Sequence, residues 1–223
     1  MESSRIQPER LQALFQGGKQ FNYRKNETIL RAREAPRGIY YVEDGTIKIY
    51  SFSKQGNEHV LDFLGRGDLF PIIWPFRHRV RSMYYEATSK VTLKMIPRET
   101  FRNFLDEHPD AMSDLLEKLV DRYYLYVGRI DNLLYSDALE RSAYRLLSLA
   151  HRFGVKTKDG LMIDAVITHE DLAHSISTTR ETFGRSMSRL QRSGIVGYDT
   201  GRHIVITDMP GLVRIIGHDE VEA

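Results

Sequence analysis

Arg180, Arg185, Arg189 and Arg192 crowd one short stretch of this chain, and Glu181 is their only acidic companion there. Phe183, Met187 and Leu190 recur on the helical period across the same stretch, so the arginines line roughly the opposite face of an amphipathic helix. An arginine face alone is most often a solvated one. Its neighbours give it a purpose. Thr168 opens a preceding short helix, with Asp171 placed as the capping-box acid, Leu172 and Ile176 facing inward and small Ala173 allowing a close crossing. Ser177 and Thr178 interrupt, and the second helix begins near Thr179. Ile195 to Tyr198 and His203 to Ile206 then flank Asp199-Thr200-Gly201 as two short strands. Helix, turn, helix and β-hairpin in that order form a winged helix-turn-helix, whose ligand is duplex DNA. Thr168, Thr179, Thr182 and the helix N-terminus suit phosphate contacts. Thr178 and Glu181 also fit a capping box, so Glu181 either caps the helix or reads a base.

A second set of residues could hold a small molecule. Trp74, Phe76, Tyr84 and Tyr85 stand near Arg77, His78, Arg79 and Arg81, a mixture suited to a planar or anionic ligand. Arg77-His78-Arg79 reads equally well as an exposed hairpin tip. Bond-making chemistry has no support. The chain contains no H-E-x-x-H pair, no G-x-S-x-G elbow and no phosphate-binding G-x-x-x-x-G-K-[ST] loop.

These residues must be positioned by a chain of 223 residues, enough for one large or two ordinary domains. An apolar share of 41% and a charged share of 28% suit a globular protein. No apolar run approaches the ~18 residues of a bilayer span. Met1 to Pro8 is polar and lacks a signal peptide's apolar core, so a cytoplasmic protein is expected. Zero cysteines exclude disulfides, thiolate-held iron–sulfur clusters and cysteine redox sensing. Net charge is only +2, so the case for nucleic acid rests on where the arginines lie.

Residues 21 to 96 read as β-structure. Gly38 to Val42, Thr46 to Tyr50 and Val91 to Ile96 have strand length and composition, and turn signals such as Glu43-Asp44-Gly45 and Gly65-Arg66-Gly67-Asp68 separate the strands. Regular spacing predicts a small barrel or double-sheet roll. Pro97 starts a short helix, and Pro109 opens a long one. In the long helix Met112, Leu116, Leu119, Tyr123, Tyr126, Ile130 and Leu133 form a heptad seam, which predicts a two-stranded coiled coil and hence a homodimer. In the competing arrangement Leu115, Val120 and Val127 pack a lone helix on the roll. Ser136-Asp137 breaks the pattern as a hinge candidate. A helix over Leu139 to Phe153 buries Ala143, Leu146, Leu147 and Ala150 and is capped by Gly154. Val155 to Gly160 reads as a charged surface loop, Met162 to Val166 as a strand, and Pro210 to Gly217 as a closing helix.

The segment YYVEDGTIKIYSFSKQGNEHVLDFLGRGDLF resembles the effector-binding roll of the Crp/Fnr superfamily, with Gly38, Gly45, Gly56, Gly65 and Gly67-Asp68 matching its turns. Thr179-Arg180-Glu181-Thr182-Phe183-Gly184-Arg185 resembles that family's recognition helix. The resemblance implies an α+β fold: a β-roll of the cyclic-nucleotide-binding double-stranded β-helix type at 1–108, a dimerisation helix and hinge at 109–137, and a winged helix-turn-helix at 138–223. It implies a transcriptional regulator, an activator that contacts RNA polymerase, acting as a homodimer on a palindromic TGTGA-like site. Arg180 and Arg185 would donate to guanine, Glu181 would accept from cytosine, and Arg189 would join Thr168, Thr179 and Thr182 in the interface. In such activators the loop equivalent to Val155–Gly160 touches the polymerase, although solvated charge explains it equally well.

The sensor departs from the family pattern. Arg81-Ser82 matches the phosphate-holding pair of cyclic-AMP receptors. However, Pro71-Ile72-Ile73-Trp74-Pro75 replaces the turn that carries a ribose-binding glutamate, and Pro71 and Pro75 have no N–H to donate. Tyr126 and Val127 stand where the adenine-contacting polar pair belongs. These changes count against cyclic AMP and point to another effector held by Trp74, Arg81, Ser82 and Tyr126. Haem, used by some relatives, would need His78 or His59, and a lone histidine counts against it. Control by abundance, with no ligand, is the alternative. The family usually has glycine in the helix-turn-helix turn, where Ser177 stands here.

Overall fold

The computed structural model of the chain describes residues 8–77 and 82–217. They divide between Arg122 and Tyr123 into two compact units. The first opens with α1 (Pro8–Gln16) and continues with β1 (Lys19–Tyr23), β2 (Thr28–Leu30), β3 (Ile39–Asp44), β4 (Ile47–Phe52), β5 (Glu58–Leu64), β6 (Leu69–Phe70), β7 (Tyr84–Ala87) and β8 (Val91–Ile96). Two antiparallel four-stranded sheets result, in the orders β1-β8-β3-β6 and β2-β7-β4-β5.

Side chains alternate along a strand, and β3 uses both of its faces. Tyr40 and Val42 enter the core between the sheets, with Ile47, Ile49, Leu64, Tyr85, Ala87, Val91 and Leu93. Ile39 and Tyr41 point the other way, onto Phe15 of α1, onto Phe101 and Leu105 of α2 (Arg98–Glu107), and onto Leu115 of α3 (Pro109–Tyr135). Covering on both sides explains why β3 is a continuous apolar run rather than an alternating one. The β3–β4 turn needs glycine: Gly45 has φ +92°, and a Cβ there would lie 2.2 Å from the Lys90 carbonyl. Asp68 ties the middle of α3 to this roll. Its Oδ2 accepts the Gly65 N–H at 2.9 Å, while its Oδ1 pairs with Arg122 Nη2 at 2.5 Å.

Helix α3 spans 27 residues, roughly 40 Å at 1.5 Å per residue. Leu116, Tyr123 and Ile130 of the expected seam are 60%, 64% and 59% exposed, and Tyr126 and Leu133 are exposed as well. Of the three residues offered as an alternative packing face, only Leu115 is buried; Val120 and Val127 are exposed.

In the second unit α3 ends at Tyr135, and Asp137 caps α4 (Ala138–Phe153) in a capping box with Glu140. The break falls on Ser136-Asp137 as the sequence predicts. Leu149, rather than Leu147, joins Ala143, Leu146 and Ala150 in the core. Gly154 is not a left-handed cap; its φ is −71° and it begins a strand. The stretch expected to be a surface loop is mostly a hairpin, β9 (Gly154–Thr157) with β10 (Gly160–Ile163). The expected strand therefore starts and ends earlier than 162–166. β9 has the exposed residues of a loop because it is an edge strand whose outer side faces solvent. The unit continues with α5 (His169–Ser175), α6 (Arg180–Arg192), β11 (Val196–Tyr198), β12 (Ile204–Ile206) and α7 (Met209–Ile216). Its sheet runs β11-β12-β10-β9, all antiparallel. Among the described residues no helix is long and apolar enough to cross a membrane.

Candidate nucleic-acid interface

Each helix of the pair starts on a threonine. Thr168 Oγ1 accepts the Asp171 N–H at 3.0 Å, and Asp171 Oδ2 accepts the Thr168 N–H at 3.2 Å, closing the expected box. Thr179, not Thr178, caps α6, its hydroxyl accepting the Thr182 N–H at 3.2 Å. The Thr178–Glu181 capping box is therefore not formed. Glu181 remains exposed, its carboxyl held below the usual range by its own main-chain N–H and by the Thr179 hydroxyl.

Between the helices Ser177 lies at φ +53°. The Ile176 and Thr178 N–H groups both donate to the Ala173 carbonyl, at 3.1 and 3.0 Å. The Thr178 bond spans five residues, the signature of a Schellman ending, whose next-to-last position favours glycine because it is left-handed. Ser177 thus adopts the left-handed backbone that glycine favours, and the turn closes on the Ala173 carbonyl.

On α6 Phe183, Ser186, Met187 and Leu190 are buried, whereas Arg180, Glu181, Arg185, Arg189 and Arg192 are exposed. Arg185 Nη2 donates to Thr182 Oγ1 at 3.0 Å, and Arg192 Nε to the Ser188 carbonyl at 3.3 Å. The helix therefore turns its guanidinium groups outward. The wing is closed across its tip by Asp199, whose Oδ1 accepts the His203 N–H at 2.7 Å and whose Oδ2 pairs with His203 Nδ1 at 3.0 Å. Hydrogen bonding from the His203 ring, ahead of its smaller partners, keeps the Asp199 carboxyl low.

Three supports escaped the sequence reading. Arg145 of α4 is buried, and its Nε donates to Ser175 Oγ at 3.1 Å. Arg129 of α3 donates to the Ser175 carbonyl. His169 Nε2 lies 2.6 Å from the Tyr198 hydroxyl, joining α5 to the wing. The only hint in sequence was position: His169 follows the capping threonine, and Tyr198 ends the first wing strand.

The residues proposed for an effector are not assembled by any one element. Trp74 packs on the Phe15–Ile39–Phe101 cluster with Arg98 over its ring at 5.5 Å, and Arg98 also donates twice to the Pro75 carbonyl. Ser82 is exposed before β7, Tyr126 is exposed on α3 in the second unit, and Arg81 and His78 lie outside the described residues. Between the sheets, Tyr40, Phe70 and Tyr85 form a continuous stack with centroid spacings of 5.2 and 5.1 Å. His59 is half-buried on β5, and among the described residues no cluster of three or more His, Asp or Glu could hold a metal.

Residues 20–108 match the cyclic nucleotide-binding domain family, and residues 140–215 match the Crp-like helix-turn-helix domain family. The chain is 27% identical over 186 residues to the cAMP-activated global transcriptional regulator CRP of Pasteurella multocida, covering 82% of this chain and 88% of the relative. It is 23% identical over 209 residues to a CRP-like cAMP-activated global transcriptional regulator of Mycobacterium tuberculosis, covering 94% and 93%. Among solved structures, FixK2 from Bradyrhizobium japonicum superposes with a TM-score of 0.76 at 22% identity, covering 89% of this chain and 96% of that one. A CooA variant from Carboxydothermus hydrogenoformans gives 0.73 at 20%, covering 92% and 90%. The relatives matched in sequence are transcriptional regulators, not enzymes.

Proposed function

The chain belongs to the Crp/Fnr family of transcriptional regulators, and from that premise we propose that it binds a palindromic TGTGA-like site as a homodimer paired along α3. The observation that carries this reading is the outward arginine face of α6, backed by the buried Phe183–Met187–Leu190 stripe inside a closed winged unit. Arg180 and Arg185 read guanine and Glu181 reads cytosine. Thr168, Thr179, Thr182 and Arg189 hold phosphates. The exposed heptad of α3 supplies the pairing face. Two heads ~34 Å apart then meet successive major grooves. RNA polymerase is a further partner in this reading, met at the charged tip of the β9–β10 hairpin.

Two features of the roll bear on control. Pro71 and Pro75 offer no N–H groups where a cyclic phosphate needs donors, which supports an effector other than cyclic AMP. The Tyr40–Phe70–Tyr85 stack occupies space between the sheets. That favours a second reading, a regulator whose DNA binding needs no ligand.

The test is binding of the purified protein to a palindromic TGTGA-type duplex and to a random duplex at ~0.15 M salt. A preference of at least ~1,000-fold for the palindrome is expected; equal affinities would sink the sequence-specific regulator. Repeating the titration with cyclic AMP and with other planar anions separates the two readings of the roll. Unchanged affinity with every ligand supports the ligand-free one.

A further inference from the structure

His169 occupies a junction that the proposed base and phosphate contacts leave unused. Its Nε2 lies 2.6 Å from the Tyr198 hydroxyl on β11. Its ring meets Phe183 of α6 edge-on, with centroids 5.3 Å apart at 80°. Phe183 is fully buried, so the imidazole is seated on the recognition helix's apolar stripe and is not a free surface group. Tyr198 is 38% exposed and His169 is half-buried, so solvent reaches the pair. One side chain therefore joins the first helix, the recognition helix and the wing, the three elements that surround the DNA in a winged helix-turn-helix.

We propose that His169 and Tyr198 form a phosphate clamp on the DNA backbone, and that closing it on a phosphodiester takes up one proton at His169. The inference rests on the DNA-binding reading above. Neutral His169 has two tautomers: with the proton on Nδ1 the phenol O–H is spent on Nε2, and with the proton on Nε2 the phenol O–H is left free. Protonation puts hydrogens on both ring nitrogens. Nε2–H must then donate to the tyrosine oxygen, and the phenol O–H is released to donate outward to a phosphate oxygen. The pair gains a positive charge and an outward donor in the same step, the combination a phosphodiester anion favours.

The surroundings set the resting state. Arg180 on α6 is near enough for its charge to act on the ring, and Tyr198 is the ring's partner on β11. On its own helix the Asp171 carboxylate is turned to the Thr168 cap, and Glu170 is exposed. Across the wing Asp199 is engaged by His203. No carboxylate in that set compensates a charge on His169. Burial, and then the Arg180 guanidinium, hold its pKa below the usual histidine value. A phosphate beside it acts in the opposite direction, so its midpoint is higher in the complex. The gain in affinity is therefore full below the free protein's depressed midpoint and is lost as pH rises through the bound one.

The experiment measures affinity of the full chain for the palindromic and the random duplex from pH 5.5 to 8.5 at fixed ionic strength. Wild-type affinity should rise as pH falls, approaching about tenfold per pH unit for each bound subunit at its steepest. Because the contact is to backbone, both duplexes should show the same slope. His169→Gln, which keeps an amide for Tyr198, should flatten the slope, Tyr198→Phe should reduce it, and His203→Gln should leave it. A slope in His169→Gln as steep as wild type overturns the clamp. Ring resonances of His169, followed by NMR in the free and DNA-bound protein, give a second readout that no folding defect can mimic; equal midpoints overturn it too. Loss of palindrome preference at every pH, with the His169-dependent slope intact, sinks the sequence-specific reading and leaves the clamp standing.

Discussion

Arg129 of α3 donates to the main-chain carbonyl of Ser175, the last residue of α5. Arg145 of α4 donates to the hydroxyl of the same serine at 3.1 Å, and that hydroxyl in turn donates to the Leu172 carbonyl at 2.7 Å. Ser175 is fully buried and immediately precedes the turn. The helix that carries the exposed seam is thus tied to the point where the recognition helix is launched. A rotation of α3 would be felt at that turn directly.

Removing the Arg129 contact tests that connection. Charged hydrogen bonds contribute roughly 1.5–3 kcal/mol, so Arg129→Gln should lower stability by about that amount. It should also weaken palindrome binding, because the turn is less firmly held. Urea unfolding followed by circular dichroism, with a DNA titration of the same sample, reads both. An unchanged midpoint and affinity would mean that the contact is incidental.

The seam makes a separate prediction. Ile130 is 59% exposed on the heptad line, whereas Tyr124 is 69% exposed one residue off it. Ile130→Asp should sediment at the mass of one chain while keeping its helical spectrum. It should lose on the order of 100-fold in affinity for the palindrome, since each head then binds alone. Tyr124→Ser should stay dimeric. A dimeric Ile130→Asp would place the pairing face elsewhere.

What the sequence disclosed followed from periodicity and punctuation. The Phe183–Met187–Leu190 stripe, the Ser136-Asp137 break and the Gly45 turn each obey a local rule, and each lies where that rule puts it. The misreadings came where tertiary partners decide. Leu147 and Leu149 are both apolar, and only the packing of α4 buries the second. Val155 to Thr157 looks polar enough for a loop until β10 supplies its hydrogen bonds. Arg129 to Ser175 and His169 to Tyr198 are separated by 46 and 29 residues, and no spacing rule links residues that far apart.

Arg180 and Arg189 should behave differently. A bidentate contact to guanine discriminates by about 1–3 kcal/mol per base pair. Arg180→Ala should therefore relax sequence preference at its position while leaving random-duplex binding nearly intact. Arg189→Ala should weaken both duplexes alike and reduce the salt dependence by about one counterion. Titrations at several salt concentrations separate the two. Equal losses on both duplexes for Arg180→Ala would make it a phosphate contact.

Ser177 supplies the last test, because it occupies a glycine's backbone with a serine's side chain. A non-glycine residue in the left-handed region costs roughly 1–2 kcal/mol, and glycine gives part of that back through the freedom it adds to the unfolded chain. Ser177→Gly should therefore stabilise the protein by about 0.5–1 kcal/mol, visible as a higher urea midpoint at unchanged slope. Because φ is already +53° and the bonds to the Ala173 carbonyl are already made, the recognition helix should keep its tilt and DNA preference should not change. Ser177→Val should do the reverse: a β-branched residue is a poor occupant of this region, so the turn should either unfold locally or shift α6. Altered half-site preference in Ser177→Gly would mean that serine holds the helix at an angle glycine does not, and that the Schellman geometry alone does not set the reading head.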